Sequence, residues 1–335
     1  MSTSTEPPLD PELVHDVYAR LREEIGKVIA GQEHVVNTLL LSLFCQGHCL
    51  LIGVPGLAKT LLARSLASSL GLNFNRIQFT PDLMPGDILG SEILHQRQGE
   101  VEFEFQLGPV FTNLLLADEI NRTPPKTQSA LLEAMQERKV TVAGKSRPLD
   151  NPFLVVATQN PIEHEGTYPL PEAQLDRFMF SIHLSYPGKE IEAEIVRRTT
   201  QNKDVTLNSV VEKDEILQVE KIIRAVPVAD HVVNYAVELS HATRPKEEGT
   251  SEVAKQYIEW GAGPRASQYL VLGAKALALM GGRSAPETRH IREVAPFVFS
   301  HRIVPNYRAT GEGLTAADLA AQLLDEVKEP NYDAD

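Results

Sequence analysis

The run Gly53-Val54-Pro55-Gly56-Leu57-Ala58-Lys59-Thr60 gathers two glycines, a lysine and a hydroxyl into one short stretch. A glycine lets the main chain approach an anion with no Cβ in the way. A lysine ammonium can meet phosphate oxygens, and a threonine hydroxyl can ligate Mg²⁺. An apolar run, His48 to Ile52, precedes the stretch, and helical spacing follows from Lys59 to Leu70 before Gly71. Strand, glycine-rich loop and helix N-terminus is the context in which such a loop binds phosphate, because unpaired N–H groups and the positive end of the helix dipole converge there. Glycine is usual directly before the lysine, and this chain has Ala58 there. Alanine suits a first helical turn, so the helix is expected to start slightly earlier.

Two further stretches carry chemistry. Leu114-Leu115-Leu116-Ala117-Asp118-Glu119 is an apolar strand ending in two carboxylates, one suited to a Mg²⁺ shell and one to polarising water. Val155-Val156-Ala157-Thr158-Gln159-Asn160-Pro161 is a second apolar strand with an amide at its tip. If this strand lies beside the glycine-rich strand and the acidic strand, Asn160 points at the water attacking the terminal phosphate. Each has a plainer reading: a glycine turn, an acidic loop start, an Asn-Pro turn.

The elements that must position these residues follow from periodicity. Leu13, Val17, Leu21, Ile25 and Val28 form one helical stripe after Asp10 and Pro11, and a second helix reads from Gln32 to about Gln46. Asn75–Phe79, Phe111–Asp118, Phe153–Thr158 and Phe178–Leu184 read as buried strands alternating with helices such as Lys126–Glu137, which predicts a mostly parallel sheet. Period-2 alternation around Val101, Phe103 and Phe105, after Gln98-Gly99, predicts a hairpin insert within Ser91–Leu107, near 93–105. Val140 and Val142 leading into Ala143-Gly144-Lys145 predict another over 139–149. After Gly188 the chain reads as helices, at about 189–201, 212–225, 228–241, 265–281, 288–299 and 314–327. This divides it into a lead-in at 1–10 expected to be disordered, an α/β domain at 11–187 and an all-α domain at 188–335.

Composition narrows the function. Thirty-two Lys and Arg against 45 Asp and Glu give a net charge of −13, and no basic run offsets it, so nucleic acid is disfavoured as main partner. Cys45 and Cys49 suggest no disulfide framework and read as buried thiols. The opening residues lack the features of a signal peptide, and the apolar run Thr38–Phe44 is too short to span a bilayer. A cytoplasmic protein without membrane insertion is expected. His164, His183, His231, His241, His290 and His301 show no zinc-ligand spacing. Trp260 is expected to pack within the helical domain, and Pro296 to interrupt a helix near Phe297–Arg302.

Gly53–Thr60, Asp118-Glu119-Ile120-Asn121-Arg122, Ala157-Thr158-Gln159-Asn160-Pro161, Leu175-Asp176-Arg177-Phe178 and Gly263-Pro264-Arg265-Ala266 occur in the order of an AAA+ ATPase. The pattern most resembles the MoxR family, over about residues 12 to 328, and Ala58 before the lysine is itself a likeness to MoxR proteins. The resemblance implies a P-loop NTPase core with a parallel five-stranded sheet in the order 5-1-4-3-2, then a helical lid. It implies ATP held by Gly53, Pro55, Gly56, Leu57, Ala58, Lys59, Thr60 and Leu61, with Val28 and Ile29 in the adenine-contacting segment. Mg²⁺ would lie on Thr60 and Asp118. Glu119 would be the base, Asn160 sensor 1 and Arg265 sensor 2. Arg177 would be the arginine finger acting on a neighbouring subunit, with Arg122 as rival. Plainer readings pair Arg177 with Asp176 and leave Arg265 at a solvated helix start. The likeness further implies a hexameric ring with the hairpins facing its pore. It points to a remodelling, chaperone-like action on protein clients and a von Willebrand A domain partner. The alternatives are a DNA-translocating ring and a nucleotide-dependent scaffold with little turnover.

Overall fold

The computed structural model describes residues 10–97, 100–163, 166–201 and 205–330. Residues 1–9 of the lead-in, the Gln98-Gly99 turn and His164 lie outside them. The described residues form two compact units, one within 22–210 and one of residues 10–21 with 211–330. The division by contact therefore falls at Val210, whereas the change in composition falls near Gly188.

The first unit is built on five parallel strands: β1 (Cys49–Ile52), β2 (Phe74–Gln78), β3 (Leu114–Asp118), β4 (Leu154–Gln159) and β5 (Phe180–His183). Their order across the sheet is β2-β3-β4-β1-β5, which is 5-1-4-3-2 read from the other edge. β1 is an interior strand next to the edge strand β5, pairing Cys49 with Val156 on one side and with Phe180 on the other. All five residues of β3 are buried, as expected of a strand covered on both faces. Leu115, Ala117, Val155 and Ala157 join Leu131, Leu132, Met135 and Phe178 in one apolar cluster. Helices α1 (Glu12–Gly26), α2 (Glu33–Phe44), α3 (Lys59–Ser69), α4 (Pro125–Glu137) and α5 (Lys189–Thr199) accompany the sheet in sequence. The division between the units falls within α1. Its Asp10 carboxylate accepts from the Glu12 N–H at 2.9 Å, which caps the first turn.

Both expected hairpins are present. Gly90–Arg97 pairs with Glu100–Leu107, and Lys139–Val142 with Lys145–Pro148. Ala143 and Gly144 both have positive φ, +49° and +74°, as a tight hairpin turn of this hand requires. Phe105 of the first hairpin packs edge-on to Phe111, and the Arg147 guanidinium of the second lies 3.6 Å from the Phe105 ring centre. Cys45 and Cys49 are buried free thiols, and burial pushes Cys49 up to about 12.

The second unit is helical: Lys213–Ala225, Asp230–Ala242, Pro264–Met280, Thr288–Phe299 and Ala316–Glu326 match the expected helices to within about two residues. Short helices at Glu252–Tyr257 and Tyr307–Gly311 add to them, with a small ladder between Ile258–Trp260 and Val304–Pro305. Two expectations are corrected. Trp260 is 69% exposed rather than packed, because it lies at the end of that small ladder. Pro296 does not interrupt its helix, which continues to Phe299. No helix among the described residues is long and apolar enough to cross a membrane.

Candidate active site

The glycine-rich loop leaves the C-terminal end of β1 and enters α3. Gly53 is fixed by packing, since a Cβ there would meet the Leu184 Cβ at 2.8 Å. Gly56 has φ +87°, and nothing lies within 4 Å of where its Cβ would stand, so the space beside it is open. α3 begins at Lys59. Ala58 is its cap residue, left-handed at φ +57° and ψ +23°, and no side chain caps the helix. The expected early helix start is thus corrected: the alanine holds a conformation that glycine adopts at less cost. An open cradle at the uncapped N-terminus of an eleven-residue helix fits a phosphate chain.

Around this cradle, Pro55 and Gly56 are exposed, Thr60 is half-buried and Leu57 is buried. Leu61 begins the outward face of α3 at 43% exposed. The Lys59 ammonium is half-buried and donates to the Gly53 carbonyl. Burial lowers its pKa, while the nearby negative charges of Asp118, Glu119 and Glu163 pull the other way.

Asp118 ends β3, and the parallel register sets it beside Gln78 of β2. Each Asp118 oxygen has a partner: Thr158 Oγ1 donates to Oδ1 at 2.6 Å, and Arg76 donates to Oδ2 through Nη2 at 2.7 Å and Nε at 3.2 Å. Glu119 follows in the left-handed region, φ +58° and ψ +50°. For a non-glycine residue this is a strained conformation of the kind that clusters at functional sites. Its N–H donates to Thr158 Oγ1 at 2.9 Å, so one hydroxyl ties both acidic residues to β4. The Glu119 carboxylate accepts from Gln78 at 2.7 Å and from Arg122 at 3.0 Å. The hydrogen bond to Glu119, with its charge, raises the Arg122 pKa.

Asn160 follows β4 and is buried. Its Nδ2 donates to Glu163 Oε1 at 2.7 Å, and its Oδ1 accepts from the Ile162 N–H at 3.3 Å. β4 lies between β1 and β3, so Lys59, Asp118, Glu119 and Asn160 all leave the C-terminal ends of three adjacent strands. That edge is where open parallel sheets bind ligands.

Val28 and Ile29 follow α1 and are half-buried. Ile29 lines a cleft of about 270 Å³ with Gly31, Val36, Asn37, Ile191 and Arg198; Val28 is outside its wall. The segment touches the phosphate loop through Gln32, whose Nε2 donates to the Leu57 carbonyl at 3.4 Å. Arg177 follows the short helix Glu172–Leu175, is half-buried, and its guanidinium has no hydrogen bond or ion pair among the described residues. Arg265 stands in the first turn of Pro264–Met280, in the other unit.

Reading the sequence alone missed Arg76, Gln78 and Glu163. Arg76 and Gln78 did leave a signal. They alternate on a strand expected to be buried, which puts two polar side chains on one face in need of partners. Glu163 left none that its surrounding loop did not share.

A phosphate loop on β1, paired acids on β3 and an amide on β4, with strands ordered 5-1-4-3-2, define a P-loop ATPase fold of the AAA class. The model of the ATPase family associated with various cellular activities (AAA) matches residues 48–180, and that of the AAA lid domain matches residues 250–323. Chaperone MoxR1 of Mycobacterium tuberculosis is 45% identical over 312 residues, covering 93% of this chain and 82% of that protein. YeaC of Bacillus subtilis is 40% identical, over 95% of this chain and 97% of its own length. Protein MoxR of Methylorubrum extorquens is 30% identical, over 86% and 88%. A crystal structure from Cytophaga hutchinsonii, provisionally described as an ATPase, superposes with a TM-score of 0.87 at 45% identity, covering 96% of this chain and 97% of that one. The chain belongs to the MoxR family of AAA+ ATPases.

Proposed function

We propose that this protein binds and hydrolyses ATP and uses the cycle to remodel protein clients, as a chaperone-like motor. The observation that carries the reading is the convergence of Lys59, Asp118, Glu119 and Asn160 on one edge of the sheet beside an open, uncapped helix N-terminus. In this reading the main chain from Gly53 to Lys59 wraps the phosphates, and Lys59 meets the outer ones. Thr60 and Asp118 would hold Mg²⁺, which would supply positive charge against the charge that develops on the terminal phosphate. Glu119 orients water and takes its proton. Asn160 donates to that water or to the terminal phosphate.

The remaining roles rest on the same reading. Val28 and Ile29 contact the base, beside the cleft that Ile29 lines. Arg177 acts on the neighbouring subunit's nucleotide. Its guanidinium lacks a partner among the described residues, whereas Arg122 is committed to Glu119 within the chain. Arg265, in the lid proposed over 188–335, senses the terminal phosphate. A cytoplasmic hexameric ring, a von Willebrand A domain partner and a protein client complete the proposal. The name Chaperone MoxR1 supports the client class, and the net charge of −13 weighs against DNA.

Phosphate release by wild type and Glu119→Gln tests the catalytic claim. The expected result is a loss of about a hundredfold or more, since general-base catalysis contributes about 10²–10⁴. Equal rates would leave a nucleotide-dependent scaffold as the better description, and strong stimulation by DNA would favour a translocating ring.

A further inference from the structure

Asn160 can donate to an incoming phosphate only if its NH₂ group, and not its carbonyl, faces it. Nothing in the side chain's own shape fixes this, because the two ends of an amide are nearly isosteric. The neighbouring residues do fix it. A carboxylate only accepts, so Glu163 Oε1 at 2.7 Å requires the nitrogen end of Asn160 on its side. The Ile162 N–H only donates, so at 3.3 Å it requires the oxygen end on the other. Both contacts arise within four residues, Asn160 to Glu163, at the tip of β4. Asn160 is buried and Glu163 is half-buried.

We infer that Glu163 is a positioning residue for the ATPase reaction: it holds the Asn160 amide with one N–H bonded to itself and the second available to the terminal phosphate or the attacking water. The inference rests on the ATPase reading above and adds a residue to it. Glu163 does not touch the reacting atoms in this role; it acts through Asn160. Its negative charge is also felt at Lys59 and Arg122, which places it at the same end of the site as the groups meant for the phosphates.

The test compares Glu163→Gln with Glu163→Ala. Both remove the charge, but only glutamine keeps an acceptor for the Asn160 amide, so the difference between them does not come from the charge. Two quantities are measured on the full chain: equilibrium affinity for fluorescent ATP and ADP analogues, and steady-state kcat and KM. Glu163→Ala should bind ATP about tenfold more weakly than Glu163→Gln while binding ADP equally, and its kcat should be lower by about tenfold or more. Glutamine should thus rescue what alanine loses. Equal ATP affinity and equal kcat in the two variants would overturn the inference. So would an equal loss of ATP and ADP affinity in Glu163→Ala, which marks a merely structural role. Failure of the wild-type protein to bind either nucleotide would instead overturn the ATPase reading beneath it, so the two failures are distinguishable.

Discussion

Arg76 of β2 sets two nitrogens, 2.7 Å and 3.2 Å away, against one oxygen of Asp118 on β3. The Asp118 side chain is nearly buried and the Arg76 side chain is 46% exposed, so the pair is half-screened. Its worth is accordingly far below that of a fully buried ion pair. Arg76→Met should cost about 1 kcal/mol, because Asp118, itself nearly buried, then loses a charged donor. Urea denaturation of Arg76→Met, Asp118→Asn and the double variant checks this. A coupling energy indistinguishable from zero would show that the contact contributes nothing.

Ala58 offers a prediction of the opposite sign. It sits at φ +57°, where a Cβ is disfavoured and glycine is at ease. Ala58→Gly relieves that strain at a small entropic cost in the unfolded chain, and the helix loses no side-chain cap that alanine supplied. A net gain of about 0.5–1 kcal/mol is expected from these opposing effects. Thermal unfolding at fixed protein concentration measures it, and a lower midpoint for the glycine variant would count against the left-handed assignment.

His48, at the entry to β1, predicts a pH dependence. Its Nδ1 accepts from the Val155 N–H at 3.0 Å and its Nε2 lies 3.2 Å from the Met135 carbonyl, an arrangement that suits neutral imidazole. Burial, aided by the charge of Arg138, lowers its pKa from 6.5 to about 4. The unfolded chain therefore takes up a proton first as pH falls. Stability from this group is complete well above pH 6.5 and is lost progressively between about pH 6.5 and 4. About 2 kcal/mol should disappear between pH 7 and pH 5. His183 and His290 are lowered mainly by burial too and add the same sign, so the measurement is a difference. His48→Gln, though less stable, should show a flatter pH profile in urea titrations; an unchanged slope would show that His48 is not the group responsible.

Arg177 can be tested by mixing. Arg177→Ala should bind nucleotide like wild type and lose turnover by about 10³-fold, the lower range for such arginines. Glu119→Gln should also be inactive. A mixture of the two should regain activity, because some interfaces then combine an intact Glu119 from one chain with an intact Arg177 from the next. No regain, with assembly verified by light scattering, would place Arg177 outside the neighbour's site.

How far the sequence reaches is visible in these residues. The loop at Gly53–Thr60, the acids at Asp118-Glu119 and the amide at Asn160 each lie within one short segment between recognisable elements, so local pattern exposes them. The helical unit was legible for a related reason, since each element announces its own burial by periodicity, whereas the strand order came only from the resemblance to AAA+ ATPases. Arg76 was not legible as a partner of Asp118, because pairing depends on the register of β2 against β3, which no local pattern contains. The left-handed Ala58 escaped because propensity speaks of helix content and not of a single strained φ. Trp260 was misjudged because apolar size suggests burial, while its place at the end of a small ladder leaves it 69% exposed.

The interior position of β1 bears on how the chain is made. Its two neighbours are β4 and β5, so the last of them, ending at His183, leaves the ribosome on the order of a hundred residues after β1 itself. At about 5–20 residues per second, β1 waits on the order of ten seconds before both of its edges can be paired. A nascent chain arrested before that point already carries Lys59 and Thr60 but lacks the sheet that shapes their loop. Nucleotide capture during synthesis should therefore appear abruptly, once Phe180–His183 has emerged, rather than grow with chain length.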